Sequence, residues 1–118
     1  MKFDRFLFVA AALCGAAGVA LSAAASLGGS ANVATAANFL LFHAPVLIAL
    51  SLLAAHSRTL HVGAAILLLS VLLFSGDLLA RDYLGQRLFP FAAPLGGTGM
   101  ILGWLTLAVG GLTVRQDG

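Results

Sequence analysis

Four apolar runs, residues 4–27, 34–55, 62–80 and 95–114, take up most of this 118-residue chain and leave only short connections between them. A bilayer hydrocarbon core about 30 Å thick takes about 20 apolar residues per helix, so each run has the length of a membrane span. Charged residues make up 8% of the chain and hydrophobic ones 61%, whereas soluble domains are about a quarter charged. There is too little polar surface here to face water. The expected fold is all-α: a single integral membrane domain over residues 1–118, built as a bundle of four transmembrane helices.

The first run has a charged head, Lys2-Phe3-Asp4-Arg5, an apolar middle, and the small residues Ser22-Ala23-Ala24-Ala25-Ser26 at its end. That pattern also fits a secretory signal peptide. The apolar stretch continues to Leu27, however, which is long enough to span, and residues 4–27 read as a retained first helix. Cys14, Gly18, Ser22 and Ser26 recur at every fourth position of this run, and Gly99, Gly103 and Gly110 lie close to one face of the fourth. In lipid, small faces of this kind let helix backbones approach and gain van der Waals contact. Both stripes are therefore expected to pack helices, the second complementary in kind to the first. Cys14 is the only cysteine and has no partner for an intramolecular disulfide.

Gly28-Gly29-Ser30-Ala31-Asn32 reads as a turn, and His56-Ser57-Arg58-Thr59-Leu60-His61 as a polar connector. Between the third and fourth runs, Arg81 to Pro94 forms an aromatic, basic loop whose two prolines oppose a continuous helix. Such a loop is expected in the headgroup layer or folded back on the bundle. Orientation follows from basic residues. With the N-terminus inside, Lys2, Arg5, Arg58 and Arg115 face the cytoplasm against Arg81 and Arg87 on the other side, which places both termini in the cytoplasm. So few basic residues, all near the ends of spans, orient helices and offer no nucleic-acid surface.

The stretch that needs explaining is Phe74-Ser75-Gly76-Asp77-Leu78-Leu79-Ala80-Arg81-Asp82, where carboxylates and a guanidinium interrupt the third run. Ionisable groups at membrane depth are costly unless paired, and so are functional candidates. Asp77 has Arg81 one helical turn later, in the favourable order for an ion pair that closes the helix end. The sharper reading adds His43 from the second run. At roughly 1.5 Å per residue, His43 lies about 13 Å in from its end and Asp77 about 5 Å from its own, a mismatch that tilt and side-chain length could close. His43, Asp77 and Arg81 would then form a proton-responsive or ligand-binding cluster. A third reading keeps His43 as a core residue donating to the Leu41 carbonyl, which Pro45 deprives of its helical partner.

Other chemistry has no motif. His43, Asp77 and Cys14 are possible metal ligands by type, but nothing matches a His-x3-His or Cys-x2-Cys pair. Gly96-Gly97-Thr98-Gly99 lacks the strand and lysine of a phosphate loop. The chain also shows no nucleophile with an adjacent base, and no fingerprint that calls for a cofactor or metal.

Three segments together carry a resemblance: Phe42-His43-Ala44 in the second run, Leu73-Phe74-Ser75-Gly76 with Leu78 in the third, and Pro94-Leu95-Gly96-Gly97 followed by Gly103-Trp104 and Leu107. In order and spacing they resemble the YgdD-like family of small bacterial inner-membrane proteins, a domain of unknown function (DUF423). The resemblance implies a four-span, multi-pass protein of the bacterial inner (plasma) membrane whose activity is not established. There are two departures. Ser22 to Ser26 stands where the family commonly carries a glycine-rich run ending in histidine, so no role for that histidine is carried over. Asp77 stands where many relatives have serine.

The resulting expectation is a non-enzymatic structural or accessory membrane component in contact with lipid, assembling as a homo-oligomer or in a larger membrane complex. The alternative is a minimal transporter, or a proton- or ion-responsive sensor, that uses His43, Asp77 and Arg81.

Overall fold

The structure is a computed structural model that describes residues 2–114; Arg115, counted above for orientation, lies outside the described residues. Four helices follow in chain order: α1 Arg5–Ser26, α2 Ala31–Leu53, α3 Arg58–Tyr83 and α4 Ala92–Thr113. All four are long and apolar enough to cross a membrane. A single turn of 3₁₀ helix, Ala54–His56, follows α2.

Local chemistry explains the starts. Asp4, Ser30 and Ser57 stand in extended backbone just before α1, α2 and α3, and each side chain accepts from backbone N–H groups of the first turn. These groups have no partner within the helix, so a capping oxygen stabilises the terminus by about 1 kcal/mol. Beyond α1, Gly28 takes a φ of +110°, which a side chain would resist, and the Gly29 N–H turns back to the Ala24 carbonyl. α4 starts differently. Phe91 precedes it in the left-handed region, at φ 69°, with no side-chain cap.

Ser57 as a cap corrects one expectation: the connector expected over residues 56–61 is shorter, because α3 already begins at Arg58. Polar composition suggested a loop there, but a serine cap followed by polar residues is equally the first turn of a helix whose polar end reaches the bilayer surface. Pro45 lies within α2 on an exposed position, and the helix runs through it.

The helices pack as a row in chain order, α1 on α2, α2 on α3 and α3 on α4. Burial matches this. α2 and α3 contribute most of the core, including Leu47, Leu67 and Val71, while α1 and α4 bury only narrow stripes. The two small-residue stripes accordingly do not meet. Gly18 faces Leu41 of α2, whereas Gly103 faces Leu67 and Gly110 faces Leu60 of α3. Gly99 lies against Ser70, and a methyl group at Gly96 would fall 2.7 Å from the Phe74 backbone nitrogen. Each stripe thus seats an outer helix against an inner one. Cys14 is buried in the α1 stripe, Ser22 is half-buried, and the repeat ends there because Ser26 is exposed.

Candidate polar site

Asp77 lies in the second-last turn of α3 and is fully buried. One carboxylate oxygen accepts from Arg81, at 3.1 Å from Nε and 2.9 Å from an Nη. The other accepts from the backbone N–H of Leu88 at 2.9 Å. That second bond was not foreseen. It folds the segment after α3 back onto the helix, with Leu88 against Gly76. Arg81 is 30% exposed, so its guanidinium reaches the surface while its stem covers apolar neighbours.

Five residues on, Asp82 accepts from the Ser30 hydroxyl and, at 3.1 Å, from the Asn32 carboxamide. The Ser30 oxygen also caps α2, so this single contact joins the α1–α2 turn to the end of α3. At the opposite end Asp4 does the equivalent work. Its side chain caps α1 through the Leu7 N–H, its backbone N–H donates to the Ser51 carbonyl of α2, and its carboxylate lies 3.4 Å from His61 Nδ1 of α3. Among the described residues, every carboxylate therefore ties two or more elements together.

His43 belongs to a different set. It is 2% exposed, its Nδ1 is 2.8 Å from the Phe39 carbonyl, and its Nε2 is 3.3 Å from the indole nitrogen of Trp104. An indole N–H only donates, so Nε2 accepts and Nδ1 carries the proton that goes to Phe39. The carbonyl used is that of Phe39, one turn back, and not the Leu41 carbonyl that Pro45 would leave free. Phe39 and Phe42 pack their rings beside the imidazole.

The structure thus brings Asp77 and Arg81 together and leaves His43 in a separate aromatic neighbourhood, with no hydrogen bond between His43 and Asp77. Trp104 is the partner that sequence reasoning missed. A signal for it existed: His43 lies twelve residues past Ala31 and Trp104 twelve past Ala92, on two helices that run in the same direction. Both are therefore about 18 Å from the same end of the row.

Among the described residues, no three His, Cys, Asp or Glu side chains gather where they could hold a metal ion. No buried side-chain nitrogen or oxygen among them lacks a hydrogen-bond partner. The polar groups are arranged to join backbone segments.

A family model described as a protein of unknown function, DUF423, matches residues 13–97. The match covers α1 from Leu13 onward, all of α2 and α3 and the first turns of α4, and includes His43, Asp77 and Arg81. No curated protein and no solved structure matches the chain.

Proposed function

The chain belongs to the DUF423 family of proteins of unknown function, and within that family we propose that it is a non-enzymatic structural or accessory component of the bacterial inner membrane, with both termini in the cytoplasm. The observation that carries this reading is the use made of its acids. Asp4, Asp77 and Asp82 each join separate segments at the two ends of the row. A buried charge such as that of Asp77 is costly, and here it holds the Leu88 segment against α3.

The alternative, a transporter or sensor working through His43, Asp77 and Arg81, calls for a shared polar pocket. Both ring nitrogens of His43 and both oxygens of Asp77 are engaged with other partners. The row also supports assembly, since α1 and α4 leave long apolar faces such as Leu13, Val19, Leu105 and Leu112 exposed. A homo-oligomer or a larger membrane complex would cover part of these faces, and lipid the rest.

Co-purification in a mild detergent, followed by native mass spectrometry, tests this reading. A discrete assembly larger than one chain is expected. A lone monomer, together with proton or ion flux through proteoliposomes above that of empty vesicles, would overturn it in favour of the carrier. Orientation is tested by a reporter fused after Gly118, which is expected to be active only in the cytoplasm.

A further inference from the structure

Two grooves run between the helices of the row among the described residues. The groove between α1 and α3, about 400 Å³, is lined by aliphatic residues such as Leu13, Leu21, Leu72 and Leu79. The groove between α2 and α4, about 550 Å³, has a different character. Phe39, Phe42, Phe74 and Trp104 line it with His43 among them, and Asn38, Gly97 and two aliphatic residues of α4 also form its wall. Its size falls within the range of small-molecule sites, roughly 300–1,000 Å³.

We propose that the α2–α4 groove binds a neutral, membrane-soluble molecule with a planar ring that carries a carbonyl oxygen, the chemistry of a quinone. Four features select this class. Asn38 lies seven residues past Ala31, about 10 Å along the helix, so the groove opens at bilayer depth and only a lipophilic molecule reaches it. No charged side chain lines the groove, so the occupant is neutral.

The ring pairs Phe39–Phe74, at 4.7 Å, and Phe42–Trp104, at 6.4 Å, lie near His43 and offer faces and edges suited to another flat ring. Finally, Asn38 is exposed in the groove wall, and its carboxamide has no hydrogen-bond partner among the described residues. A carboxamide left facing hydrocarbon is unfavourable, and a ligand carbonyl accepting its N–H would satisfy it. An acyl chain would fill either groove equally well and leave Asn38 unpaired. This assignment stands apart from the accessory role proposed above, and its failure would leave that role intact.

Trp104 is the only tryptophan and lies in the groove, so its fluorescence reports occupancy. The probe is decyl-benzoquinone, added to the full chain in phosphatidylcholine nanodiscs. Saturable quenching is expected. Asn38→Leu, an exposed position, should weaken binding about tenfold, the loss of one hydrogen bond. Gly97→Leu should abolish saturation, because a side chain there meets no neighbour and would enter the groove.

A Leu13→Trp/Trp104→Phe variant reports on the aliphatic groove and should show only linear quenching. Linear quenching by the quinone in every variant would mean simple partitioning and would overturn the proposal. Equal quenching by dibromo-phosphatidylcholine, insensitive to Asn38→Leu, would assign the groove to acyl chains. Protection of Trp104 from both quenchers in a dimer would assign it to a second copy. Either result also overturns the proposal.

Discussion

Trp104 of α4 donates its indole N–H to His43 Nε2 of α2 at 3.3 Å, across a row in which α3 separates the two helices. The contact sets which ring nitrogen of His43 carries the proton. Its two nitrogens face one acceptor, the Phe39 carbonyl, and one obligate donor, the indole. A proton on Nε2 would point at the indole N–H and break the bond. His43 therefore acts as a polar link between helices that are not neighbours.

Replacing Trp104 with phenylalanine keeps a ring in place and removes the donor. The Nε2 lone pair then lacks a protein partner, which is expected to lower stability by about 1–3 kcal/mol. Thermal unfolding in detergent measures this. Nitrogen NMR of labelled histidine should show the Nδ1–H tautomer in the native protein and a shifted Nε2 resonance in the variant; an unchanged Nε2 resonance would remove the link.

Asp77 makes a second prediction, because its two oxygens serve different partners. Asp77→Asn still offers an oxygen to the Leu88 N–H but loses the charge facing Arg81. Asp77 is fully buried and the amide nitrogen would face the Arg81 donors, so that loss is expected to be about 1–3 kcal/mol. Asp77→Ala also frees Leu88, and with it the loop that carries Arg87. Limited trypsin digestion after Arg87 should be much faster in Asp77→Ala than in Asp77→Asn, and equal rates would show that the Leu88 contact does not hold the loop.

The contrast between Asp77 and His43 shows what the sequence made legible. Four helices long and apolar enough to cross a membrane followed from apolar run length alone. The Asp77–Arg81 pair was visible because helical spacing places neighbours one turn apart. The Leu88 N–H, the Asp82–Ser30 contact and the Trp104 indole were not, because they depend on which helices lie side by side and on how a loop folds back. Periodicity fixes a face but not its partner. For the same reason the glycine stripes were legible as packing surfaces, but not which helix each would meet; each seats against an inner helix.

Two adjacent glycines separate packing from composition. A methyl group at Gly96 would lie 2.7 Å from the Phe74 nitrogen and 3.0 Å from its Cα, atoms that cannot move without shifting α3. At Gly97 nothing lies within 4 Å. Gly96→Ala is expected to cost about 1–3 kcal/mol through overpacking, whereas Gly97→Ala should change stability by less than about 0.5 kcal/mol. Paired melting curves check this, and similar losses in both variants would mean that α4 does not sit on α3 at Phe74.

At the other end of the row, Asp4 caps α1, fixes the start of the chain to α2 through Ser51 and faces His61 of α3. The last contact involves a histidine that is 55% exposed, so solvent screens it and it should contribute little. The cap does not share that weakness, since the Leu7 N–H has no other partner in the first turn. Asp4→Ala is therefore expected to lower stability by about 1 kcal/mol, and His61→Ala by a few tenths at most. Asp4→Ser, which keeps a capping oxygen without the charge, should recover most of the Asp4→Ala loss in detergent melts. If Asp4→Ser instead melts with Asp4→Ala and His61→Ala matches both, the ion pair and not the cap holds this end together.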